Sequence, residues 1–306
     1  MADVTDPAYR RLIAQTAKPD VMWTEFVSAD GLYYTREVKK IADSENPLMR
    51  DLRYGEGERP IVAQIFGSNP EHIAYAAALA EKLGFDGVDL NMGCPDKTIE
   101  KQGAGAAMMK NPAQAKEIIK AAKGATKLPV SVKTRIGYNK EMLEEWLPAI
   151  LEAEPAAVTL HLRTRKEMSA VPAHWELMPR AVEIRNSINP KILLLGNGDL
   201  KTMQEAEEKV RAGGCDGAML GRAIFGNPWL FSGRRIEEVP LQERLAALVL
   251  LAKYFEELTP PKHFAILKKH FKAFVSGFDG AAELRVRLME AENSDAVARI
   301  IREAVY

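Results

Sequence analysis

Residues 61–95, IVAQIFGSNPEHIAYAAALAEKLGFDGVDLNMGCP, decide the fold of this chain. Two short apolar runs, 61–66 and 86–90, flank a stretch from Pro70 to Leu83 whose apolar residues recur at helical spacing. Gly84 follows this stretch, at the position where a helix C-terminus favours a left-handed residue. A strand, a helix and a second strand in this order predict one βα unit of a parallel sheet.

The same alternation continues along the chain. Further strands are predicted near 21–26, 130–135, 156–161, 191–196 and 216–220. Gly124 and Gly213, like Gly84, follow predicted helices. A closed barrel needs one strand more than these seven, and we expect the missing first strand to precede Met1. The predicted fold is an α/β TIM (β/α)8 barrel with a truncated first strand, and an open doubly wound sheet is the alternative.

The strand rhythm stops around residues 227–243, where Pro228 and Pro240 bracket a charged segment. Helical spacing then recurs in four stretches, at 245–258, 265–274, 281–288 and 295–304. We therefore predict a barrel domain over residues 1–235 and a small helical domain over residues 241–306.

Composition and length bound the class of protein. The chain has 306 residues, whereas a TIM barrel takes about 250, so a barrel with a small appendix fits. A hydrophobic fraction of 47% and a charged fraction of 27% are typical of a globular protein. No run of about 18 apolar residues and no signal-like opening are seen, so we expect a cytoplasmic protein that does not enter a membrane.

The charge balance and the cysteine content limit how the chain can bind RNA or a metal ion. The 42 basic residues balance 42 acidic ones, so any contact with RNA must come from a local patch. The two cysteines, Cys94 and Cys215, lie in different contexts, which argues against a disulfide framework and against a four-ligand zinc site. We expect no metal centre, and we expect a monomer.

Polar residues recur at the ends of predicted strands. They are Gln64, Asn91, Lys133, Arg135 and His161. Any one of them can simply satisfy local backbone groups, and His161 can cap its strand or donate to phosphate or substrate. Barrel enzymes carry their working groups at the C-terminal ends of strands, so the recurrence favours an active site there.

Two glycine turns follow the last predicted strands. Gly196-Asn197-Gly198-Asp199 and Gly221-Arg222 each precede a helical segment, and such turns either bind phosphate through backbone N–H groups or are ordinary tight turns. Lys133 can add a fixed positive charge for a phosphate or an anionic flavin, or can be a structural salt-bridged lysine. The pair of turns favours a phosphorylated cofactor.

Cys94 lies in Asp89-Leu90-Asn91-Met92-Gly93-Cys94-Pro95, directly after a strand. A loop cysteine above a barrel mouth can act as a nucleophile or as a proton donor, because its pKa of about 8.5 keeps it mostly protonated near neutrality. Cys215, at the start of a strand, is expected to be a buried and unreactive thiol.

Lysines and aromatic residues alternate between residues 258 and 278. The lysines are Lys262, Lys268, Lys269 and Lys272, and the aromatic residues are Phe264, His270, Phe271 and Phe274. Such a segment can hold an RNA backbone and offer stacking rings. The alternative is that the aromatic residues form helix core and the lysines form a solvated face.

These residues together resemble the tRNA-dihydrouridine synthase family over essentially the whole chain, and in particular its bacterial B-type branch. The resemblance is carried by MADVTD (1–6), VAQIFG (62–67), DLNMGCP (89–95), VKTR (132–135), and GNGD (196–199) with GR (221–222). Leu162 and His174 stand where that family commonly has Gly and Asp, so the substrate loop departs from its pattern.

The resemblance implies reduction of the C5–C6 double bond of specific uridines in tRNA to dihydrouridine, with FMN as cofactor and NADPH as reductant. It implies that Cys94 is the general acid and that His161 and Arg163 line the substrate pocket. FMN contacts are implied for Met1, Ala2, Gln64, Lys133, Asn197, Gly198, Asp199, Gly221 and Arg222, and we add His161 to them. Substrate contacts are expected from Asn91, Arg135, Arg163, Lys268, Lys269 and Lys272.

Two other functions share these sequence features. A flavin barrel that reduces a small metabolite would have the same cofactor turns. A non-catalytic tRNA-binding protein is the second alternative, because the first barrel strand is missing.

Overall fold

The computed structural model describes residues 1–305, which form two compact units. The sheet unit comprises residues 26–40 and 60–221, and the terminal unit comprises residues 1–25, 41–59 and those from 222 onwards. The predicted domain boundary between residues 235 and 241 stays a prediction. In the described part of the chain, no helix is both long and apolar enough to cross a membrane.

Strands and helices alternate along the sheet unit. The strands of the chain are β1 (Met22–Trp23), β2 (Val27–Ser28), β3 (Ile61–Phe66), β4 (Gly87–Met92), β5 (Val130–Arg135), β6 (Ala157–His161), β7 (Leu193–Asn197) and β8 (Gly217–Met219). The α-helices are α1 (Pro7–Thr16), α2 (Ala29–Tyr33), α3 (Pro47–Asp51), α4 (Pro70–Lys82), α5 (Lys97–Lys101), α6 (Pro112–Ala125), α7 (Leu143–Leu151), α8 (Met178–Ile188), α9 (Met203–Gly213), α10 (Leu241–Glu256), α11 (Lys268–Phe274), α12 (Ala281–Met289) and α13 (Ser294–Val305). Short helical turns of 3-10 type include Gly105–Lys110 and Arg222–Ile224, and Tyr34–Val38 is a π-helix.

The strand order decides between the two predicted architectures. From β2 to β8, each strand pairs in parallel with the next strand along the chain. A doubly wound sheet reverses its strand order at a switch point, whereas barrel strands follow one another in sequence. The fold is therefore of the TIM-barrel type, and the doubly wound alternative is wrong.

Local sequence explains where α4 begins and ends. Asn69 caps its N-terminus, because the side-chain oxygen accepts hydrogen bonds from the N–H groups of Glu71 at 2.9 Å and His72 at 3.4 Å. Gly84 follows the helix with φ 81°, as predicted. β4 beyond it is buried at every position, so the strand that leads to Cys94 is part of the core.

The strand predicted at 21–26 differs from the observed structure. The two-residue strand β1 lies within this range and β2 begins just after it, and the buried polar residues Thr24 and Glu25 separate them. The Thr24 hydroxyl donates to the Glu25 carbonyl at 2.8 Å, and Glu25 Oε1 accepts from the Val4 N–H at 3.0 Å. These bonds to loop residues take the place of strand pairing.

Two of the predicted helix-ending glycines have other roles. Gly124 lies inside α6, and Gly213 ends α9 while Gly214 takes the left-handed conformation with φ 66°. A side-chain carbon on Gly213 would lie 2.7 Å from Cγ of Met178. Gly213 is therefore required by close packing rather than by its backbone angle.

In the terminal unit, α10 packs on α1 and α13, and α11 packs on α12. The aromatic residues of α11 point into this unit: Phe271 and Phe274 are fully buried, and the His270 ring lies 4.7 Å from the Tyr9 ring. These side chains are helix core, which is the second of the two readings that the sequence allows for them.

Candidate active site

The register of the parallel strands brings the predicted polar residues together. Asn91 of β4 pairs with Lys133 of β5. Arg135 pairs with His161 of β6, which in turn pairs with Asn197 of β7. These rim residues therefore stand at two register levels near the C-terminal edge of the sheet, with Arg135, His161 and Asn197 two residues further along their strands than the level of Asn91 and Lys133.

A buried amide network sets the orientation of Gln64. Its Nε2 donates to Asp89 Oδ2 at 2.7 Å, and its Oε1 accepts from Nδ2 of Asn91 at 3.2 Å. Asp89 is fully buried and also accepts from the Ser131 hydroxyl at 2.6 Å. Burial raises the pKa of Asp89, although the hydrogen bonds from Ser131 and Gln64 oppose the rise.

Sequence reasoning missed Asp89 as a site residue. The signal was present, because a carboxylate in the apolar run Gly87-Val88-Asp89-Leu90 needs buried partners. In the structure its two carboxylate oxygens accept hydrogen bonds from Gln64 and Ser131, so it fixes the side-chain amide of Gln64.

Lys133 carries a positive charge that the described residues do not neutralise. Within residues 1–305 its ammonium group has no hydrogen bond and no ion pair, so the structural salt bridge considered above is absent there. Burial and, to a lesser extent, the charge of Arg135 lower the pKa of Lys133 to about 8, although the carboxylate of Asp89 opposes them. A half-buried cation of this kind fits an anionic ligand.

The Cys94 loop begins in a turn that Asn91 closes. Asn91 Oδ1 accepts from the N–H groups of Gly93 at 3.2 Å and Cys94 at 3.0 Å. The thiol is half-buried, and burial raises the pKa of Cys94 despite the opposing charges of Arg135 and Lys133. A thiol that stays protonated near neutrality suits a proton donor better than a nucleophile.

Cys215 has none of these features. It is 7% exposed, its sulfur lies 3.5 Å from the Gly217 carbonyl oxygen, and burial raises its pKa. Cys215 is therefore a buried thiol, as predicted, and its environment favours the unreactive protonated form.

Arg135 is largely occupied by backbone carbonyls. Its Nε donates to the Gly93 carbonyl at 2.8 Å, and its Nη1 donates to the Thr164 carbonyl at 3.0 Å. Burial, with the nearby charge of Arg163, lowers the pKa of Arg135 to about 10. The residue thus joins the Cys94 loop to the loop after β6, and a direct contact with substrate stays a prediction.

His161 is a neutral imidazole with an assigned tautomer. Its Nε2 lies 3.2 Å from Nη1 of Arg163, and since an arginine can only donate, the hydrogen of the ring is on Nδ1. Burial and the charges of Lys133, Arg135 and Arg163 lower the pKa of His161 to about 2. The ring therefore offers one N–H donor at any physiological pH.

Arg163 itself is held on three sides. It is 2% exposed, donates from Nε to the Val171 carbonyl at 2.6 Å, and forms an ion pair with Asp199. Asp199 also accepts from the Ala173 N–H at 2.9 Å and has φ 53°. The predicted cofactor residue Asp199 is thus bound to the predicted substrate residue Arg163.

The two glycine turns lie at the same edge. Asn197 Nδ2 donates to the Met219 carbonyl at 2.7 Å, which ties the first turn to the strand that precedes the second. Gly198 has φ 134°, and a side-chain carbon there would lie 2.6 Å from Cβ of Ala173. At Gly221, such a carbon would meet no described atom within 4 Å, so the space before this backbone can admit a phosphate.

The remaining predicted site residues belong to the terminal unit. The Met1 ammonium donates to the Thr5 hydroxyl at 2.7 Å, Ala2 is exposed, and Arg222 begins its short 3-10 helix. Lys268 donates to the Met289 carbonyl at 2.6 Å, whereas Lys272 is exposed and Lys269 half-buried.

Lys262 of the predicted basic segment is buried among carboxylates. Its ammonium lies 3.4 Å from Glu25, 3.5 Å from Asp51, 3.7 Å from Asp3 and 3.9 Å from Asp6. Burial alone would lower the pKa of Lys262, but these carboxylates outweigh it and raise the pKa. This lysine stabilises the terminal unit and is not a free phosphate contact.

The family model and the similar sequences agree on one family. A family model described as Dihydrouridine synthase (Dus) matches residues 1–305. A probable tRNA-dihydrouridine synthase of Staphylococcus epidermidis is 38% identical over 296 residues, which cover 96% of this chain and 88% of that protein. A probable tRNA-dihydrouridine synthase 2 of Bacillus subtilis strain 168 is 38% identical over 304 residues, which cover 98% and 91% respectively. Morphinone reductase superposes with a TM-score of 0.51 at 12% identity, covering 76% of this chain and 81% of that chain, a likeness that concerns the fold alone.

Proposed function

Because the chain belongs to the dihydrouridine synthase family of enzymes, we propose that it reduces the C5–C6 double bond of uridines in tRNA to dihydrouridine. The observation that carries the proposal is that Asn91, the register partner of Lys133, also closes the turn that bears Cys94, so that a thiol with a raised pKa and a buried ammonium belong to one strand edge. The first can supply a proton, and the second can bind an anionic cofactor.

The residues at the rim fit FMN. Lys133 offers a cation that has no hydrogen bond or ion pair within residues 1–305, and Gly221 offers a backbone with open space in front of it. Gln64 presents an amide whose orientation is already set by Asp89. The other proposed contacts are His161, Asn197, Gly198 and Asp199, with Met1, Ala2 and Arg222 of the terminal unit.

Reduced FMN, when bound, would supply a hydride to C6 of the uracil ring, and we propose NADPH as the source of its electrons. The chain itself must deliver a proton to C5. Cys94 Sγ–H is the proposed donor, because its raised pKa keeps the proton in place until the ring demands it. His161 Nδ1–H and Arg163 are proposed to orient the base, with Asn91 and Arg135 at its other side.

The tRNA must present its uridine outside the base stack, which costs a few kcal/mol (about 2–4). Lysines of the terminal unit can offset this by holding phosphates, and the exposed Lys272 and the half-buried Lys269 are the proposed contacts. Lys268 is a weaker candidate for a phosphate contact than these two lysines, because its ammonium already donates to the Met289 carbonyl.

The test is the Cys94→Ala variant, with Cys215→Ala as its matched control. We expect Cys94→Ala to retain flavin and to lose about 10²- to 10⁴-fold in the rate at which unmodified tRNA reoxidises the reduced flavin. Cys215→Ala should retain the wild-type rate, and free uridine should be a poor substrate for every variant. A wild-type rate in Cys94→Ala would refute the proton-donor role, and a colourless wild type unable to take up FMN would refute the enzyme.

A further inference from the structure

The segment that carries Cys94 is one folded piece. It runs from Asn91 through α5 to the short helix Gly105–Lys110. Asp96 caps α5 by accepting from the Thr98 N–H at 2.8 Å, and the Cys94 carbonyl accepts from the Ala106 N–H at 2.9 Å. These hydrogen bonds are internal to the segment, and other contacts join it to the neighbouring loops.

A bidentate ion pair joins this segment to the loop after β6. Arg165 donates from Nε to Glu100 Oε1 at 2.7 Å and from Nη2 to Glu100 Oε2 at 2.5 Å. The Glu100 side chain is 10% exposed and that of Arg165 is 23% exposed. Two parallel hydrogen bonds to a largely buried carboxylate fix both distance and angle between the two loops.

Tyr138, in the loop after β5, connects the same two loops. The Lys110 ammonium lies 3.9 Å from its ring centroid, and the Arg165 guanidinium carbon lies 5.5 Å from that centroid. Lys110 ends the Cys94 segment, so cations from both loops meet on one aromatic ring. Arg165 N–H also donates to the Gly137 carbonyl at 2.8 Å, which holds the base of the arginine.

The pKa shifts of Glu100 and Arg165 are those expected of a close ion pair. Burial alone would raise the pKa of Glu100, but the hydrogen bonds from Arg165 and Tyr138 outweigh it and lower the pKa. The hydrogen bond to Glu100 raises the pKa of Arg165. Both groups are charged near neutrality, so the contact persists at the pH of the proposed reaction.

We propose that Arg165 and Glu100 are positioning residues, which hold the Cys94 thiol at its working place over the rim and couple it to the loop that bears Arg163. The pair acts through the α5 segment and touches neither substrate nor cofactor. The inference rests on the proposed function, because it assigns the pair to placing the proton donor.

A matched control exists on the outer helices. Arg180 of α8 binds Glu144 of α7 in the same bidentate manner, with distances of 2.6 Å and 3.0 Å. Those side chains are 53% and 59% exposed and belong to α8 and α7 rather than to the Cys94 segment or the loop after β6. Arg180→Ala therefore removes a comparable ion pair without touching the Cys94 segment, and should behave as the wild type.

The first measurement follows the thiol itself and needs no turnover. Iodoacetamide labelling of the holoenzyme is quenched at intervals, and Cys94 and Cys215 are quantified in separate peptides by mass spectrometry. We expect Arg165→Ala to label at Cys94 about 5- to 10-fold faster than the wild type, because loosening a loop increases the population of open states. Arg180→Ala should label at the wild-type rate, and Cys215 should be unchanged in all variants.

The second measurement separates positioning from RNA binding. We expect kcat for tRNA reduction to fall about 10- to 100-fold in Arg165→Ala, with little change in KM, because a misplaced proton donor slows chemistry and not association. Glu100→Gln should show the same loss, and the double variant should be no worse than either single one, as for partners in one contact. Arg165→Lys, which keeps the charge, should recover part of the rate and serves if Arg165→Ala does not fold.

The outcomes keep the two proposals apart. Wild-type labelling and wild-type kcat in Arg165→Ala would overturn the positioning role, whatever the substrate. A raised KM with unchanged kcat would also overturn it, since that result describes an RNA contact. If the wild type fails to reduce tRNA, the proposed function falls, while faster Cys94 labelling in Arg165→Ala alone still supports the loop clamp.

Discussion

The uncompensated charge of Lys133 predicts that FMN affinity depends on pH. Burial lowers the pKa of Lys133 to about 8 in the free protein, and a bound phosphate or anionic ring would favour the charged form and raise it again. Above about pH 8, binding must therefore take up a proton, so affinity is expected to fall as pH rises. Below about pH 7, the lysine is already charged and affinity should be level.

The size of the effect follows from one charged group. A single coupled proton limits the slope to about tenfold in Kd for each pH unit above pH 8. Replacing Lys133 by methionine removes one hydrogen bond to a charged partner, worth about 1.5–3 kcal/mol. That loss corresponds to a Kd weaker by about 10- to 150-fold near pH 7.

Quenching of FMN fluorescence on titration with apoprotein, from about pH 7 to pH 9.5, measures these constants directly. The phosphate of FMN completes its second ionisation near pH 6, so it adds no slope in this window. Lys140→Met, which alters an exposed lysine after the same strand, is the matched control and should follow the wild type. A wild-type Kd that is level across the range, or a Lys133→Met variant that keeps the slope, would refute the reasoning.

Three further predictions concern the loop and the terminal unit. Gly105 has φ 60°, and a side-chain carbon there would lie 2.7 Å from the Cys94 carbonyl oxygen. Gly105→Ala should therefore lower the unfolding free energy by about 1–2 kcal/mol. It should also slow turnover, while the absorbance of the bound flavin is retained. Burial lowers the pKa of His270 to about 3, so below pH 6.5 the unfolded state binds more protons than the folded state and the protein loses stability. His270→Phe should remove about 2 kcal/mol of this loss between about pH 6.5 and pH 5, and urea denaturation at both pH values measures it. Lys262→Met should destabilise the protein by about 3 kcal/mol near pH 8, because it leaves buried carboxylates without their cation. The loss should be smaller near pH 5, because burial raises the pKa values of Asp6 and Glu25 and these carboxyls can then take up protons and become neutral. Equal losses of unfolding free energy at both pH values would contradict this.

Much of the site could be predicted from local sequence patterns. An apolar run followed by a polar residue identifies a strand and its end, and parallel strands in sequential order must place those ends at one edge. Gln64, Asn91, Lys133 and His161 were found in this way, and the register places Asn91 beside Lys133 and Arg135 beside His161. The roles proposed for them stay predictions.

What local patterns could not supply is which charges neutralise each other. Lys262 looked like a free cation, yet it lies among carboxylates from three distant segments, whereas Lys133, which could have been a salt-bridged lysine, has no partner among residues 1–305.

The amino-acid sequence by itself determined the alternation of strands and helices, the polar strand ends, the glycine turns and the loop that carries Cys94, because each depends on neighbours a few residues away. Only the tertiary structure decided the break at Thr24 and Glu25, the partners of Asp89 and the pairing of Glu100 with Arg165. Ion pairing and desolvation depend on groups that folding brings together from far along the chain, so no local pattern contains them.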